Sequence, residues 1–283
     1  MDTDELAAHF DRERLRLRSV AYRIVGSLAD ADDAVQETWI RLQRADTDEI
    51  DNLDGWLHTV TARICLNILR SRRTRAEEPL DLRPEPIVAT DPHADPEAEV
   101  LLADAVGMAL QVVLDSLPPA DRVAFVLHDM FGVPFGDIAD LLDRTPDATR
   151  QLASRARRRV GTGAPTPDPD LAAQRAVVDA YFAAARDGDL DALVAVLDPD
   201  VVLRAHGRRE TLELRGAQKV ARGAMLARAY APFVRPALVN GAAGAIAFDD
   251  GAPFAILAFT VVGGRAVGID IFNDRELVPR LVR

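Results

Sequence analysis

Between residues 1 and 75 the apolar residues recur every three or four positions, which is the period of an amphipathic helix. One helix is predicted around the acidic run Asp30-Ala-Asp-Asp33, because acids favour a first helical turn, and its apolar positions are Val35, Trp39 and Leu42. A second is predicted from about Trp56, with an apolar stripe of Leu57, Val60, Ile64 and Ile68. This part of the chain is therefore predicted to be all-helical.

The stretch from Glu97 to Val160 is again predicted to be helical, with breaks at Pro118-Pro119, Gly132-Val-Pro134 and Asp143-Arg-Thr-Pro146. At the last break a short apolar helix is followed by Thr145, which suits a helix N-cap, and by Pro146, which suits the first helical position. This spacing predicts a helix-turn-helix.

Beyond residue 170 the pattern becomes mixed. Two helical segments, Leu171 to Arg186 and Leu190 to Leu197, precede apolar runs of strand character, which are Ala245–Phe248, Phe254–Val262 and Ala266–Phe272. Asp249-Asp-Gly251 and Gly263-Gly264 separate these runs where antiparallel hairpins would turn. The last third is therefore predicted to be an α+β unit, with helices first and a curved sheet after them.

Two segments without periodicity separate the predicted domains. Residues 76–97 are rich in proline and acid, and residues 161–170 are rich in glycine and proline, so both are predicted to be linkers. The predicted domains are residues 1–75, 98–160 and 171–283. A chain of 283 residues, of which 48% are hydrophobic, is long enough for several compact units.

Several classes of protein are excluded or disfavoured by what the sequence lacks. No apolar run approaches the roughly 20 residues that a membrane span needs, and the N-terminus does not resemble a signal peptide, so we expect a cytoplasmic protein without a membrane partner. Cys65 is the only cysteine, which excludes an internal disulfide, and its apolar neighbours predict a buried thiol. No phosphate-binding glycine loop and no metal-ligand cluster occur, so neither a cofactor nor a metal is predicted.

The charge distribution changes the picture that the net charge of −11 gives. Gly55 to Arg75 carries five arginines and no acid, and Arg144 to Arg159 carries six arginines and one acid, Asp147. The intervening Ala76 to Glu99 has a net charge of −7. Two basic islands joined by an acidic segment indicate nucleic-acid binding, because cations neutralise phosphates.

The helix that follows Pro146 is the strongest DNA-binding candidate. At 100° per residue its outward face combines base-edge donors near the N-terminus with phosphate-binding cations further along, namely Arg150, Gln151, Ser154, Arg157 and Arg158. The alternative, a solvated arginine-rich helix, is disfavoured because such a face normally includes acids.

Two further helix faces carry weaker signals. The basic helix from Gly55 presents Thr59, Arg63, Asn67 and Arg70 opposite its apolar stripe, although helix C-termini are often basic without binding DNA. The preceding helix presents an acidic surface suited to a basic protein partner, although exposed acids are common on helices. Its members are Asp30, Asp33, Glu37, Ile40 and Arg41.

The order of three motifs resembles the extracytoplasmic-function (ECF) sigma factors of RNA polymerase. The motifs are Asp30-Ala-Asp-Asp-Ala-Val-Gln-Glu-Thr-Trp39, Trp56-Leu-His-Thr-Val-Thr-Ala-Arg-Ile-Cys-Leu-Asn-Ile-Leu-Arg70 and Arg150-Gln-Leu-Ala-Ser-Arg-Ala-Arg-Arg-Arg159. The resemblance implies that the first binds core RNA polymerase, the second binds the −10 promoter element, and the third, in sigma region four, reads the −35 element. It implies two all-α sigma domains and, as partners, core RNA polymerase and promoter DNA.

The remainder resembles the subgroup that carries a SnoaL-like, nuclear-transport-factor-like domain after region four. The resemblance rests on Glu77-Glu78, Leu82-Arg-Pro-Glu-Pro86, Tyr181-Phe182 and Asp187-Gly-Asp-Leu190. Two motifs depart from the subgroup's pattern: Arg204-Ala-His-Gly207 replaces an aspartate followed by glycines, and Asn273-Asp-Arg-Glu-Leu277 replaces asparagine-proline-aspartate-lysine-leucine. The resemblance implies a cone-shaped fold, with regulatory contacts expected at Arg204, His206, Asn273 and Asp274.

Three functions remain open from the sequence, and the first is favoured. It is a sigma factor whose last domain modulates transcription initiation and binds either a small molecule or a protein. The second is a one-component helix-turn-helix regulator with a ligand-binding C-terminal domain, which does not need residues 1–75. The third is an enzyme tethered to a DNA-binding module, for which His206, Asp270 and Tyr181 are the candidates. Because His206 is expected at a loop or rim with no cooperating second base, no catalytic residue and no enzyme activity are predicted.

Overall fold

The computed structural model describes residues 3–47, 50–75, 84–90, 107–163, 165–207 and 211–282. The chain forms two compact units. The first consists of Met1–Glu85 and Gln111–Gly163, and the second of Pro86–Leu110 and Ala164–Arg283. In both units the types of secondary structure agree with the sequence prediction.

All the regular secondary structure in the described residues of the first unit is helical. Its first three helices are α1 (Thr3–Val25), α2 (Leu28–Leu42) and α3 (Leu53–Arg75), which pack against one another. Its other elements are α4 (Met108–Ser116), α5 (Pro119–Phe125), a π-helical segment (Val126–Met130), α6 (Phe135–Leu142) and α7 (Pro146–Gly163). The breaks that the sequence predicted at Pro118-Pro119, Gly132-Val-Pro134 and Asp143–Pro146 are confirmed.

The α1–α3 bundle has a small apolar core at which α2 meets α1 and α3. The ring of Phe10 packs on that of Trp39 with centroids 5.0 Å apart. Around this pair lie the buried side chains of Leu6, Leu17, Val35, Leu42 and Leu57. The predicted apolar positions of α2 are therefore confirmed, with Trp39 half-buried.

The buried face of α3 differs from the predicted stripe. Val60 and Ile68 are only half-buried, whereas Thr61 and Cys65 are fully buried. The Thr61 and Thr38 hydroxyls are hydrogen-bonded at 3.0 Å, and a paired hydroxyl is tolerated in a core. The predicted stripe was based on hydrophobic residues alone, so it did not include the buried Thr61. The buried thiol of Cys65 is confirmed, and burial raises its pKa.

The second unit is built on a seven-stranded sheet. The strands are β1 (Val88–Ala89), β2 (Leu197–His206), β3 (Thr211–Arg215), β4 (Val234–Val239), β5 (Ala242–Asp249), β6 (Ala252–Val262) and β7 (Arg265–Phe272). Their order in the sheet is β1-β4-β5-β6-β7-β2-β3. Among the strands that the structure describes, only the β2–β7 pair is parallel, and register shifts interrupt the β2–β7, β5–β6 and β6–β7 pairs.

Helices cover one face of this sheet. They are α8 (Leu171–Asp187), α9 (Leu190–Val196) and α10 (Ala217–Leu226), followed by a 3₁₀ helix (Arg228–Phe233). A short α11 (Val278–Leu281) follows the last strand. Asp170 and Asp189 cap α8 and α9 by accepting hydrogen bonds from first-turn amides. The predicted α+β unit, with helices before most of the sheet, is confirmed and has the SnoaL-like architecture.

Three tight turns form the antiparallel meander. At Asp250-Gly251 and Gly263-Gly264 both central residues have positive φ, as the hairpin turn of type I′ requires. These two turns were predicted. A third, at Asn240-Gly241, has the same geometry and was not predicted, although Asn-Gly is a strong hairpin signal.

The two predicted linkers contain ordered residues where the structure describes them. Residues 76–83 and 91–97 of the first linker lie outside the described residues. Val88 and Ala89 within it form β1, an edge strand paired with β4. In the second linker the Asp168 carboxylate accepts hydrogen bonds from the amides of Gly263 and Gly264, at 3.1 and 3.2 Å. These segments are therefore attached to the sheet of the second unit.

Candidate nucleic-acid and polymerase interfaces

The helix-turn-helix of the first unit consists of α6, a tight turn and α7. Asp143 ends α6 with φ of +53°, in the left-handed region that asparagine and aspartate tolerate best after glycine. The Thr145 hydroxyl accepts a hydrogen bond from the Ala148 amide at 3.2 Å, which caps α7. The predicted N-cap at Thr145 and the start at Pro146 are confirmed.

The outward face of α7 is the predicted one. Thr149, Ala153 and Ala156 are buried against the rest of the unit, whereas Arg150, Gln151, Arg157 and Arg158 are exposed and Ser154 is half-buried. Ala148, Leu152 and Val160, which were expected to be buried, are half-buried. The five predicted residues therefore share one accessible side of the helix.

Two arginines of α7 are held by acids from earlier helices. Arg157 forms a bidentate pair with Asp129 of the π-helical segment, at 2.7 and 2.9 Å, which raises the pKa of Arg157. Arg155, which was not predicted, forms a similar pair with Asp121 at 3.0 and 3.1 Å. The prediction of Arg157 as a freely available phosphate ligand did not foresee this partner, because Asp129 is 28 residues away in the sequence.

Three more outward residues of α7 have nearby partners, namely Arg150, Ser154 and Arg158. Arg150 pairs with Asp147 one turn earlier, and its guanidinium lies 5.7 Å from the ring centroid of Phe135. Arg158 donates a hydrogen bond to the Ser154 hydroxyl at 3.0 Å. These exposed contacts orient the side chains but are easily exchanged for a ligand, because surface ion pairs contribute little energy.

The predicted basic face of α3 is also on the accessible side. Arg63, Asn67 and Arg70 are exposed and Thr59 is half-buried. They are spaced by three or four residues, so they follow one another along the helix surface. Arg72, two residues later, instead donates a hydrogen bond to the Val25 carbonyl at 2.8 Å and pairs with Asp30, so its position is structural.

The pairing with Arg72 involves one member of the predicted acidic surface of α2, Asp30. Asp30 is half-buried against Arg72 and is not part of a free surface. Asp33 is exposed, Ile40 is half-buried, and Glu37 accepts a hydrogen bond from Arg41 at 3.0 Å. Of the three acids predicted for this face, Asp33 and Glu37 are therefore the more accessible.

The second unit brings the four predicted regulatory residues to one end of the sheet. Arg204 and His206 lie near the end of β2, which runs parallel to β7 with His206 beside Phe272. Asn273 and Asp274 directly follow β7. The Asp274 carboxylate accepts the amides of Glu276 and Leu277, at 2.9 and 3.2 Å, and so forms the turn after the strand.

His206 is not the loop or rim residue that the sequence suggested. It is the last residue of β2, it is 6% exposed, and its Nε2 lies 2.9 Å from the Asp270 carboxylate. Asp270, on the adjacent strand, was named as a candidate from the sequence, but its pairing with His206 was not predicted. Arg204 lies 3.4 Å from Glu213 and 4.0 Å from Asp270. Tyr181 is separate from this cluster, because it is buried among Phe182 and Phe259, and burial raises its pKa.

Within the described residues, no group of three or more histidine, cysteine, aspartate or glutamate side chains is placed to hold a metal ion. In the same part of the chain, no helix combines the length and the apolar character that crossing a membrane requires.

Comparison with known protein families identifies the class of protein to which this chain belongs. Residues 9–75 match the family Sigma-70 region 2, and residues 107–160 match Sigma-70, region 4. The chain belongs to the ECF RNA polymerase sigma factors, which are transcription initiation factors. The match to region 2 does not favour the one-component regulator.

Two proteins of Mycobacterium tuberculosis are similar in sequence to this chain. The chain is 43% identical over 251 residues to the ECF RNA polymerase sigma factor SigJ of strain ATCC 25618 / H37Rv, covering 84% of this chain and 80% of that protein. It is 35% identical over 272 residues to the probable ECF RNA polymerase sigma factor SigI of the same strain, covering 95% and 93%. The crystal structure of SigJ superposes with a TM-score of 0.76 at 38% identity, covering 96% of this chain and 97% of that one.

Proposed function

We propose that this ECF sigma factor binds core RNA polymerase through α2, contacts the −10 element through α3 and reads the −35 element through α7, while its C-terminal domain modulates initiation without catalysing a reaction. The protein acts in the cytoplasm, where polymerase and promoter are found. The observation that carries the DNA-binding part is the capped helix-turn-helix with Arg150, Gln151, Ser154, Arg157 and Arg158 on one accessible face.

The roles on α7 divide by position along the helix. Arg150 and Gln151 lie in the first turns, which enter a major groove first, so they are assigned to base edges together with Ser154. Arg157 and Arg158 lie further along and are assigned to phosphates. On α3, Thr59, Arg63, Asn67 and Arg70 are assigned to the −10 element by position.

The assignment on α2 rests on Asp33 and Glu37, with Ile40 and Arg41 beside them. A cationic partner surface would be attracted by the two carboxylates, and the half-buried Ile40 would supply apolar contact. Asp30 contributes indirectly, because its pair with Arg72 holds the start of α2 against α3.

The C-terminal domain binds the segment that joins the two sigma regions, and this contact supports a modulating role. Val88 and Ala89 of this segment pair with Leu238 and Val239 of β4. Asn240 completes the attachment. Its side-chain Oδ1 accepts a hydrogen bond from the Ile87 amide at 2.7 Å, and its backbone amide donates one to the Ile87 carbonyl at 2.8 Å. A domain that grips the connecting segment limits how far apart the two DNA-binding regions can move.

The test is reconstituted transcription with core polymerase and a promoter series that differs in the spacing between the −10 and −35 elements. Asn240 has φ of +49°, so Asn240→Gly keeps the turn and removes the side-chain oxygen that accepts the Ile87 amide. This leaves the buried Ile87 amide unsatisfied, at a cost of about 1–3 kcal/mol, and weakens the attachment. We expect the variant to transcribe from a wider range of spacings than the unmodified protein, with severalfold changes at individual promoters.

The control is Asp250→Gly, which makes the same kind of change at a turn residue with φ of +47° that is exposed, whereas Asn240 is buried. It should leave the spacing preference unchanged. If Asn240→Gly and the unmodified protein give the same transcription at every spacing, modulation through the connecting segment is wrong. If neither protein supports transcription with core enzyme, the sigma-factor assignment itself is wrong.

A further inference from the structure

The helix-covered face of the C-terminal sheet is occupied by the protein's own side chains. Tyr181, Phe182 and Phe259 pack edge to face there, with ring centroids 5.3 to 5.9 Å apart. The surrounding buried residues, among them Leu193, Val201 and Ile269, continue this core. These side chains therefore fill this part of the helix-covered face.

A cavity of about 450 Å³ lies at one corner of the same domain, where α9 leads into β2 and β3 leads into α10. Its apolar wall is formed by Val194, Leu197, Pro199 and Ala217, and its cationic side chains are Arg215, Lys219 and Arg265. The volume lies within the range of small-molecule sites, and such sites combine a mainly apolar wall with a few polar groups.

The cations of this cavity are poorly neutralised. Arg215 donates to Glu213 at 2.8 Å. Lys219 and Arg265 are exposed and form no ion pair with any residue that the structure describes. Like charges gathered around one cavity repel one another unless an anion binds between them.

The local sequence reinforces this charge. Residues 214–248 contain Arg215, Lys219, Arg222, Arg228 and Arg235 but no aspartate or glutamate, in a chain whose net charge is −11. Outside this segment, Asp198 and Asp200 flank the lining residue Pro199, so the unbalanced positive field lies on the side of the cavity formed by β3 and α10. It favours anions over neutral or cationic ligands.

We propose that this corner cavity binds a small molecule with an anionic head, a carboxylate or a phosphate, on an apolar body. Lys219 and Arg265 hold the head, with Arg215 shared between the head and Glu213. Val194, Leu197 and Ala217 contact the apolar body. A bare inorganic anion would leave the apolar wall uncovered, and a nucleic-acid backbone would bring no apolar group to cover it.

The proposal is tested by isothermal titration calorimetry on the full chain with four probes. Octanoate and octyl phosphate carry both features, whereas octanol lacks the charge and inorganic phosphate lacks the apolar body. We expect octanoate, octyl phosphate or both to bind at least tenfold more tightly than octanol and inorganic phosphate. If octanol binds as tightly as the amphiphiles, the site is apolar without preference for an anion. If inorganic phosphate binds as tightly, the site binds an ion and does not need the apolar body. If neither amphiphile binds, the cavity is not a ligand site. Each of these three results overturns the proposal.

Variants locate the site. Lys219→Gln with Arg265→Gln should weaken octyl phosphate binding at least tenfold, because both charges that hold the head are removed. The matched control is Arg186→Gln with Arg280→Gln, two exposed arginines of the same domain that do not line the cavity. Val194→Phe should weaken binding by filling the cavity. If the first double variant binds as tightly as the control, the site is wrong, and this holds whether or not the domain affects transcription.

Discussion

Arg122 donates hydrogen bonds from Nη1 to both the Asp115 carboxylate and the Ile24 carbonyl, each at 2.7 Å, and from Nη2 to the Asp115 carbonyl at 2.6 Å. The two side chains are 6% and 9% exposed. Gly26 lies against the Asp115 carboxylate, where an added Cβ would be 2.9 Å from Oδ2. This buried pair thus joins α4 and α5, which belong to sigma region four, to the end of α1 in region two.

Arg122→Met should destabilise the first unit by about 3–5 kcal/mol, because it leaves Asp115 buried without its charged partner. Denaturant unfolding monitored by far-UV circular dichroism measures this. Arg122→Met combined with Asp115→Leu should recover most of the loss, since an apolar pair has no uncompensated charge. A double variant as unstable as Arg122→Met would show that the pair is needed for more than charge compensation.

The buried Asp115 also predicts a pH dependence. Burial raises its pKa to about 6 from 3.8, against the opposing effect of Arg122. The folded state therefore binds this proton more tightly than the unfolded state, so the contribution of Asp115 to stability falls as the pH rises from about 4 to above 6. Between pH 5 and pH 7 this amounts to about 1 kcal/mol.

Asp115→Asn isolates this contribution from that of other groups. The difference in unfolding free energy between the unmodified protein and the variant should decrease by about 1 kcal/mol from pH 5 to pH 7. Denaturant melts of both proteins at the two pH values measure it. A difference that is constant, or that grows with pH, contradicts the raised pKa.

The two phosphate-assigned arginines of α7 should not be equivalent. Arg158 donates a hydrogen bond to Ser154 of its own helix, whereas Arg157 is held by the Asp129 carboxylate in bidentate geometry. Arg158→Ala should lower the slope of log affinity against log salt by about 1, equally for all sequences. Arg157→Ala should lower it less, because Asp129 already neutralises that charge.

Fluorescence anisotropy with duplex DNA at several salt concentrations measures both slopes. Asp129→Asn serves as the converse variant, since it frees Arg157 and should increase the slope and the affinity for every sequence. Arg150→Ala, by contrast, should relax sequence preference at one position at a cost of about 1–3 kcal/mol. Equal slopes for Arg157→Ala and Arg158→Ala would show that the pair with Asp129 opens on DNA.

Local features of the fold were predictable from the sequence. Helix starts and hairpin turns depend on one or two residues whose own chemistry determines the backbone, as Thr145 and Gly263-Gly264 show. The accessible face of α7 was predictable for a similar reason, because helical periodicity places its residues without knowledge of the partner helix.

Contacts between distant residues were not predictable in this way. Arg157 meets Asp129 and His206 meets Asp270 across 28 and 64 residues, and the second pair depends on β2 lying parallel to β7. Strand β1 has only two residues and no alternating pattern, so its existence depends on β4 and Asn240. The corner cavity likewise gathers residues from α9, β2, β3, α10 and β7. Such features follow from tertiary pairing and leave no local signal.

The polymerase-binding face of α2 can be tested against its neighbouring face on the same helix. Asp33 is exposed and has no ion pair among the described residues, whereas the adjacent Asp32 pairs with Arg18 at 2.5 Å. Asp33→Arg reverses a charge on the proposed face, and Asp32→Arg makes the same change about 100° around the helix. We expect Asp33→Arg to weaken co-purification with core polymerase at least tenfold, and Asp33→Arg with Glu37→Arg to abolish it, since repulsion replaces attraction at the interface. Asp32→Arg should retain binding. Thermal unfolding of all three variants separates lost contact from lost fold, and equal binding by Asp33→Arg and Asp32→Arg would place the interface elsewhere.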